Sequence, residues 1–469
     1  MLRRSLALKL VLPLLASALP AQRVAPPPPR AVLDTAIARM GGDSLLASMR
    51  TVRLDVLTQW FRTSFATTPL PYLSSYERNA ELRDYDARSW RNVRSSLGSG
   101  GPAIAIVDIV RDTVGSRTAG AMAMPLNRTY IQERRELFVT AVDRLLPLMR
   151  SARDLRALPD TVLDGAPIAR LAATVDGFAL TLLLRRDDGL PLAVRFRADE
   201  ADDFGLAQWG EHEVATWYSN WQRATNGVIL PRQVDVLRVG RPYKRMTYLA
   251  LTPNAPAPAD SFAIPDSMVT RYLTTERRPM WELPIAEQGR LVEGRFAMMP
   301  PLMGSAGAVQ VGGQWVVFET AQHPDAMAMI AGWLATTDPS ARVGLGIATV
   351  PTPGNGGARW FVANRLPMVV GPGSRPIVEQ ITGSRGLTVI TAGRWLRVGS
   401  DSLWVEPVSA PDFPGALTVY APSLKWLYLP FAGVPAAQRT QATILAEYAR
   451  RGWPVELIGS ARVLRRAVQ

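Results

Sequence analysis

Residues 344–361 read Gly344-Leu-Gly-Ile-Ala-Thr349-Val350-Pro351-Thr352-Pro353-Gly354-Asn355-Gly356-Gly357-Ala358-Arg359-Trp360-Phe361, and the division of this stretch decides the architecture of the second half of the chain. Residues 344–349 form a short apolar run of strand length. A proline- and glycine-rich loop follows, and residues 357–364 have the composition of a helix. Working outward, strands are predicted at 309–311, 315–319 and 367–370 and a helix at 324–336. Strands at 387–391, 395–398, 417–420 and 426–429, a helix at 436–451 and a terminal strand at 455–458 continue the pattern. Alternation of strands and helices argues a layered arrangement of sheets covered by helices. No repeat of 20 to 50 residues is visible.

The first half has a different rhythm. Residues 31–49 carry helical periodicity interrupted by Gly41-Gly42. From Thr51 onward, short alternating runs recur at 52–57, 103–110, 168–175, 179–184, 192–197, 214–221, 233–239 and 244–251. Asp176-Gly177, Asp188-Gly189 and Asn226-Gly227 lie between them, pairs suited to hairpin turns that need a positive φ. This predicts an antiparallel meander, broken only by a helix over 129–155 with Phe138, Val142, Leu145, Leu146 and Met149 on one face. Asn254 to Asp260 reads as a Pro/Ala linker closing this half at about Pro265, with residues 266–290 connecting to the second unit.

Composition restricts the chemistry. The 469 residues include two histidines and no cysteine, so disulfides, thiol nucleophiles and iron–sulfur clusters are excluded. A zinc site usually takes three or four His or Cys ligands, and His212 and His323 do not supply them; no metal and no cofactor is expected. The net charge of +13 comes from 53 basic residues, all arginine except Lys9, Lys244 and Lys425. They are interspersed with acids, without a basic helix or block, so nucleic acid is not an expected partner. Residues 1–21 have the layout of an export signal, with Arg3 and Arg4, an apolar run from Leu6 to Leu15, and a cleavage zone at Ala16, Ala18 and Ala21. Residues 22–30 follow as a proline-rich leader. No later stretch has 18 uninterrupted apolar residues, so the mature chain is expected to be exported, periplasmic or secreted, without a membrane span.

Two family resemblances emerge from these motifs. Residues 31–265 resemble the LolA-like, outer-membrane lipoprotein-sorting type of domain. The resemblance lies in Met40-Gly41-Gly42, the passage from Leu45 to Val56, Gly189-Leu190-Pro191, the run from Asn226 to Pro231, and the ending Asn254, Phe262, Pro265. It implies a curved half-barrel of antiparallel strands closed by helices, whose concave face takes an acyl chain. Residues 291–469 resemble the metallo-β-lactamase fold, an αββα sandwich, through the strand 344–349, the helix entry from Gly356 to Phe361, the run from Asn364 to Val370, and the strand pair around Leu417 to Ser423 and Leu427-Tyr428. Taken together the expected class is α+β. The family's metal-ligand positions fall here on Val350, Thr352, Gly354 and Asn355, its bridging aspartate at about Phe431, and its last histidine near Gly459 to Arg462. Hydrolysis in that family depends on zinc to lower the pKa of a bound water, and neither a valine, a glycine nor a phenylalanine binds zinc.

Other candidates are few. His212 stands between Glu211 and Glu213 as a lone, exposed histidine at a strand start, and His323 precedes Pro324 at or near a helix cap. No Gly-x-Ser-x-Gly elbow exists. The acidic group Asp199, Glu200, Asp202, Asp203 fails the calcium-loop spacing and reads as an exposed hairpin loop. Thr352, Asn355 and Arg359 are the pocket candidates if hydrolysis persists without zinc. The expected function is otherwise non-catalytic: a metal-free pseudo-hydrolase binding a lipid or other hydrophobic envelope ligand, or an envelope protein partner.

Overall fold

A computed structural model describes residues 27–61, 74–96, 104–200, 203, 205–278, 282, 289–299, 306–350, 355–383, 386–408, 413–461 and 463–467. The export signal and most of the leader lie outside them. The chain is α+β, built mostly from antiparallel strands.

The first half is one 13-stranded sheet in which every neighbouring pair is antiparallel. Its first strand, Thr51–Phe61, pairs on one side with Ser74–Asp84 and on the other with the last strand, Arg241–Pro253. Two meanders therefore join back to back. One runs through Ser89–Ser96, Ile104–Arg111 and Val114–Ala119 to an edge at Met122–Pro125; the other ends at the opposite edge, Arg156–Leu163. The connection between the two edges carries helices Arg128–Thr140 and Val142–Ser151. Their apolar residues, with Leu33 and Ile37 of helix Pro29–Arg39, pack on the inward positions Val52, Leu54 and Val56 and on Leu182, Val194 and Val236.

The single helix expected over 129–155 is thus two. Ala141 is extended (φ −66°, ψ 111°) and ends one helix as it starts the next. Five strands of the first half, 74–84, 89–96, 114–119, 122–125 and 156–163, are not expected from hydrophobic alternation, nor are 290–292, 296–298, 401–407 and 464–466 of the second. In the first two the reason is physical: several inward residues are polar, Asn79, Glu81 and Arg83 in one and Asn92 in the other, all buried. A charged residue facing inward erases the period-two signal on which strand prediction rests. Within residues 266–290, helix Asp266–Arg271 is followed by the π-helical turn Tyr272–Glu276, and Tyr272 is buried in the first core.

The second half has two sheets. One, of seven strands, runs Arg290–Val292, Phe296–Met298, Gly307–Val311, Gln314–Phe318, Arg342–Ala348, Met368–Val370, Leu387–Val389, antiparallel as far as Gln314–Phe318 and parallel beyond. Parallel neighbours need crossovers, supplied by helices Pro324–Thr337, Ala358–Ala363 and Arg375–Thr382, the last not expected from the sequence. The other, of six strands, contains Arg394–Val398, Asp401–Pro407, Leu417–Ala421, Trp426–Tyr428, Leu457–Gly459 and Leu464–Arg466. The sheets share one core, in which Val309, Phe318 and Ile347 meet Val405, Val419 and Tyr428. The outer face of the first packs on the three crossover helices. The outer face of the second packs on helix Gln438–Arg450 through Tyr448. No helix among the described residues is long and apolar enough to cross a membrane.

Candidate functional site

Of the positions singled out in the second half, the described ones, Val350, Asn355, Arg359 and Phe431, have separate surroundings. Val350 follows strand Arg342–Ala348 and packs on the apolar cluster that holds Phe413 and Phe431. Phe431 is 3% exposed and stacks on Phe413 with centroids 4.3 Å apart. Asn355 is buried and its Nδ2 donates to the carbonyl of Val350 at 3.3 Å. Thr352 and Gly354 lie outside the described residues, as does Arg462, while Gly459 ends a strand against the Trp426 indole. Arg359 turns away from Val350 and donates to backbone carbonyls of the first half, those of Trp209 and, at 3.3 Å, Gln208. Among the described residues no group of three or more His, Asp or Glu side chains is arranged to hold a metal.

Sequence reasoning missed Glu319. It ends strand Gln314–Phe318 with φ 52° and is buried. The Thr349 amide donates to its Oε1 at 3.2 Å, the Thr349 hydroxyl donates to the same oxygen, and the Val350 amide and Tyr428 hydroxyl face the carboxyl. Burial outweighs these dipoles and pushes its pKa up to about 8. A carboxyl closing an apolar strand (Trp315-Val-Val-Phe-Glu319) was the one available signal.

His323 stands at the helix cap expected for it, whereas His212 and Glu200 are less exposed than expected. His212 is not exposed: it is 5% accessible, its Nδ1 bonded to the carbonyl of Gly210 at 2.7 Å and its Nε2 3.2 Å from Glu200. The acidic segment does connect the antiparallel neighbours Pro191–Ala198 and His212–Arg223, and Asp199 is exposed, but the loop is not exposed throughout. Glu200 is buried against Arg238, and Asp203 Oδ1 accepts from the amides of Gly205 and Leu206 at 2.7 Å each. Asp202 lies outside the described residues. His323 is the N-cap of helix Pro324–Thr337, its Nδ1 accepting from the Asp325 amide at 3.2 Å, with Nε2 3.9 Å from Asp199. That His323 contact holds the Asp199 carboxyl below its ordinary pKa.

These groups form the seam between the two halves. Leu206 and Trp209 pack on Ile377, with Ile381 beside them. Gly356 lets three segments meet, since a Cβ there would lie 1.7 Å from the Gln322 carbonyl oxygen and 2.7 Å from Gln208 Cα. The segment around Leu206 to Gly210 therefore covers the helix entry on which the pocket candidates sit.

An apolar recess lies in the first half, between the sheet and its two crossing helices. Its enclosed space is about 50 Å³, widening to about 550 Å³ when the open mouth is counted, and it is lined by Val52, Leu54, Leu137, Val234, Val236 and Met246. Its polar groups are few. Tyr218 donates to the Thr140 carbonyl at 2.5 Å, and Tyr85 faces Asp143. Burial raises the Asp143 carboxyl, whose Oδ2 has no hydrogen-bond partner among the described residues. Arg83 lines the recess and reaches Glu81 at 2.7 Å. Burial alone would lift Glu81, and Arg83 with Arg134 outweigh it and keep the carboxyl below its ordinary value.

Beyond this recess the same face of the sheet is ionic. Helix Arg128–Thr140 presents Glu133 to Lys244 and Glu136 to Arg238, which also holds Glu200. Arg134 lies 4.4 Å over the rings of Trp90 and Tyr130. The side chains of Glu133, Glu136, Glu200, Arg238 and Lys244 are between 1% and 6% exposed. Burial lowers the Lys244 ammonium despite Glu133. Buried charges persist only where partners replace water, so this network defines the end of the apolar recess.

No family model matches the chain, and no curated protein matches it. Solved structures do. An outer membrane lipoprotein-sorting protein domain from Vibrio parahaemolyticus is 11% identical, covering 50% of this chain and 95% of that one, with a TM-score of 0.32. A DUF1329 family protein from Desulfovibrio piger is 13% identical over 50% of this chain and 97% of its own, with a TM-score of 0.28. A metallo-β-lactamase from Pontibacter korlensis is 13% identical over 37% of this chain and 83% of its own, with a TM-score of 0.27. Likenesses of this size carry no residue roles, and the fold rests on the strand order and register above. The solved structures similar to this chain thus include both kinds of protein that its two halves resemble in sequence.

Proposed function

We propose that this is an exported, non-catalytic protein whose LolA-like first half, a curved half-barrel, binds an apolar ligand of the cell envelope. Its second half is a metal-free αββα domain of metallo-β-lactamase type that serves as a scaffold. The observation that carries the reading is the recess of the first half, with aliphatic walls, enclosed by helices and holding a buried arginine and an uncharged-leaning carboxyl at one side. The lining, rather than the enclosed volume of about 50 Å³, supports an acyl or other slender apolar chain with a small polar end, entering from the open mouth. In the second half, the apolar packing of Val350 and Phe431 supports a scaffold role. The rival, hydrolysis without zinc through Thr352, Asn355 and Arg359, is less supported because Arg359 is engaged by the backbone of the first half.

The test is native mass spectrometry of the purified full chain together with titration of a fluorescent sixteen-carbon fatty acid. Co-purified lipid and saturable binding are expected, with Val234→Trp, which fills the recess, weakening binding at least tenfold. Clean protein that binds no fatty acid, or binding indifferent to Val234→Trp, overturns the reading.

A further inference from the structure

A second recess lies on the other half of the molecule, on the outer face of the six-stranded sheet beside helix Gln438–Arg450. It measures about 510 Å³, within the range of small-molecule sites. Its floor is Glu406 and Thr418, on neighbouring strands, and its helical wall presents Arg439, Thr443 and Glu447. Arg451 closes one end. One guanidinium nitrogen, Nη1, donates to both carboxylate oxygens of Glu406 at 2.9 and 3.0 Å, and the other, Nη2, reaches Glu447.

Aromatic rings border this groove. Arg451 lies 5.3 Å over the Trp453 ring, and the loop residue Gly393, at the rim, rests on Trp404, where a Cβ would fall 2.2 Å from the indole. Trp395, Trp404 and Trp453 form a triangle with centroid separations of 5.4, 5.4 and 5.7 Å. Trp395 is 48% exposed, so one large amphipathic ring of the triangle faces water. Nothing in the reading of the first-half recess uses these residues.

We propose that this groove binds an oligosaccharide. Three features select that chemistry. The formal charge balances, two carboxylates against two guanidiniums, so the groove does not select a strongly ionic ligand. The polar groups are threonine hydroxyls and planar carboxylate and guanidinium groups already oriented by one another, which offer donors and acceptors to adjacent sugar hydroxyls at little ordering cost. The exposed indole offers a flat apolar face with a polar edge, the shape that fits the C–H face of a pyranose ring. An apolar ligand would strand the buried side of Glu406 and Arg451 without water, and a phosphate would meet two carboxylates.

The experiment is titration of the full chain with chitotetraose, maltotetraose and cellotetraose, followed by tryptophan fluorescence and by calorimetry, with inorganic phosphate as an ionic control. At least one tetrasaccharide is expected to bind saturably and to shift the emission, because Trp404 and Trp453 pack against Gly393 and Arg451 of the lining and Trp395 packs on both indoles. Trp395→Ala is expected to weaken binding at least tenfold. Thr443→Trp, on the exposed helix face, is expected to abolish it with an unchanged melting temperature, which separates lost binding from lost folding. Absence of binding by all three sugars at millimolar concentration overturns the proposal. Sugar binding untouched by both substitutions, or displaced by phosphate, also overturns it.

Discussion

Replacing Glu319 by glutamine tests whether this carboxyl is neutral in the folded protein at ordinary pH. The side chain is buried at the junction of the two sheets, with hydroxyl and amide dipoles around it and no cation among its contacts. Burial raises its pKa from 4.5 to about 8. A group with a raised folded pKa keeps its proton in the native state after the unfolded chain has lost it. Its contribution is therefore fully present below about pH 4.5 and is lost as pH rises through 8. At 1.36 kcal/mol for each pH unit between 4.5 and about 8, about 5 kcal/mol of stability is lost between those limits. Glutamine keeps an acceptor for the Thr349 amide and hydroxyl, places an N–H where the neutral acid has its O–H, and does not titrate. Urea unfolding of wild type and Glu319→Gln is to be followed at pH 5, 7 and 9 through Trp315 and Trp426, both buried in the second half. The two proteins should be alike to about 1 kcal/mol at pH 5, and the variant should become the more stable by several kcal/mol at pH 9, all other titrations cancelling in the difference. A stability difference that is constant with pH refutes the reasoning. So does a variant that loses ground as pH rises, since that is the sign of a stabilising carboxylate.

Gly356→Ala should break the seam between the halves, because the new Cβ would lie 1.7 Å from the Gln322 carbonyl oxygen. Faster limited proteolysis and a larger radius of gyration in small-angle scattering are expected, and unchanged values would show that the halves do not depend on this contact. Arg238→Ala leaves Glu136 and Glu200 buried without their cation and should cost about 3–5 kcal/mol in thermal or urea unfolding, against less than 1 kcal/mol if the network were open to water. Phe431→Ala should cost about 3–5 kcal/mol, as for other large-to-small changes at enclosed aromatic positions, if Phe431 fills the core as its stacking on Phe413 indicates. A near-neutral effect would mean that the position is an open pocket.

Legibility in the sequence followed one rule. Where a strand has an apolar inward face, as in Val52, Leu54 and Val56 or in Trp315 to Phe318, the pattern announced it. Where the inward face is ionic, as in Glu81 and Arg83, the pattern reads as loop, because charge ordinarily signals water. His212 and Glu200 were misplaced for the same reason, as carboxylates beside a histidine look solvated until Arg238, 38 residues from Glu200, arrives on a neighbouring element.

The amino-acid sequence by itself determined the coarse class, the contrast between a strand-rich first half and an alternating second half, and the exclusion of thiol chemistry. These are properties of residue type and short spacing, which a linear chain states directly. The tertiary structure alone decided which charges became partners. Glu136 meets Arg238 across 102 residues and Glu319 meets Thr349 across 30. It also decided that Gly356 would be the point where three segments close, and that tryptophans at 395, 404 and 453 would form one surface. The cost of burying a charge or an indole depends on neighbours brought together by strand order, and that order is set by the packing of the whole sheet rather than by any local run of residues.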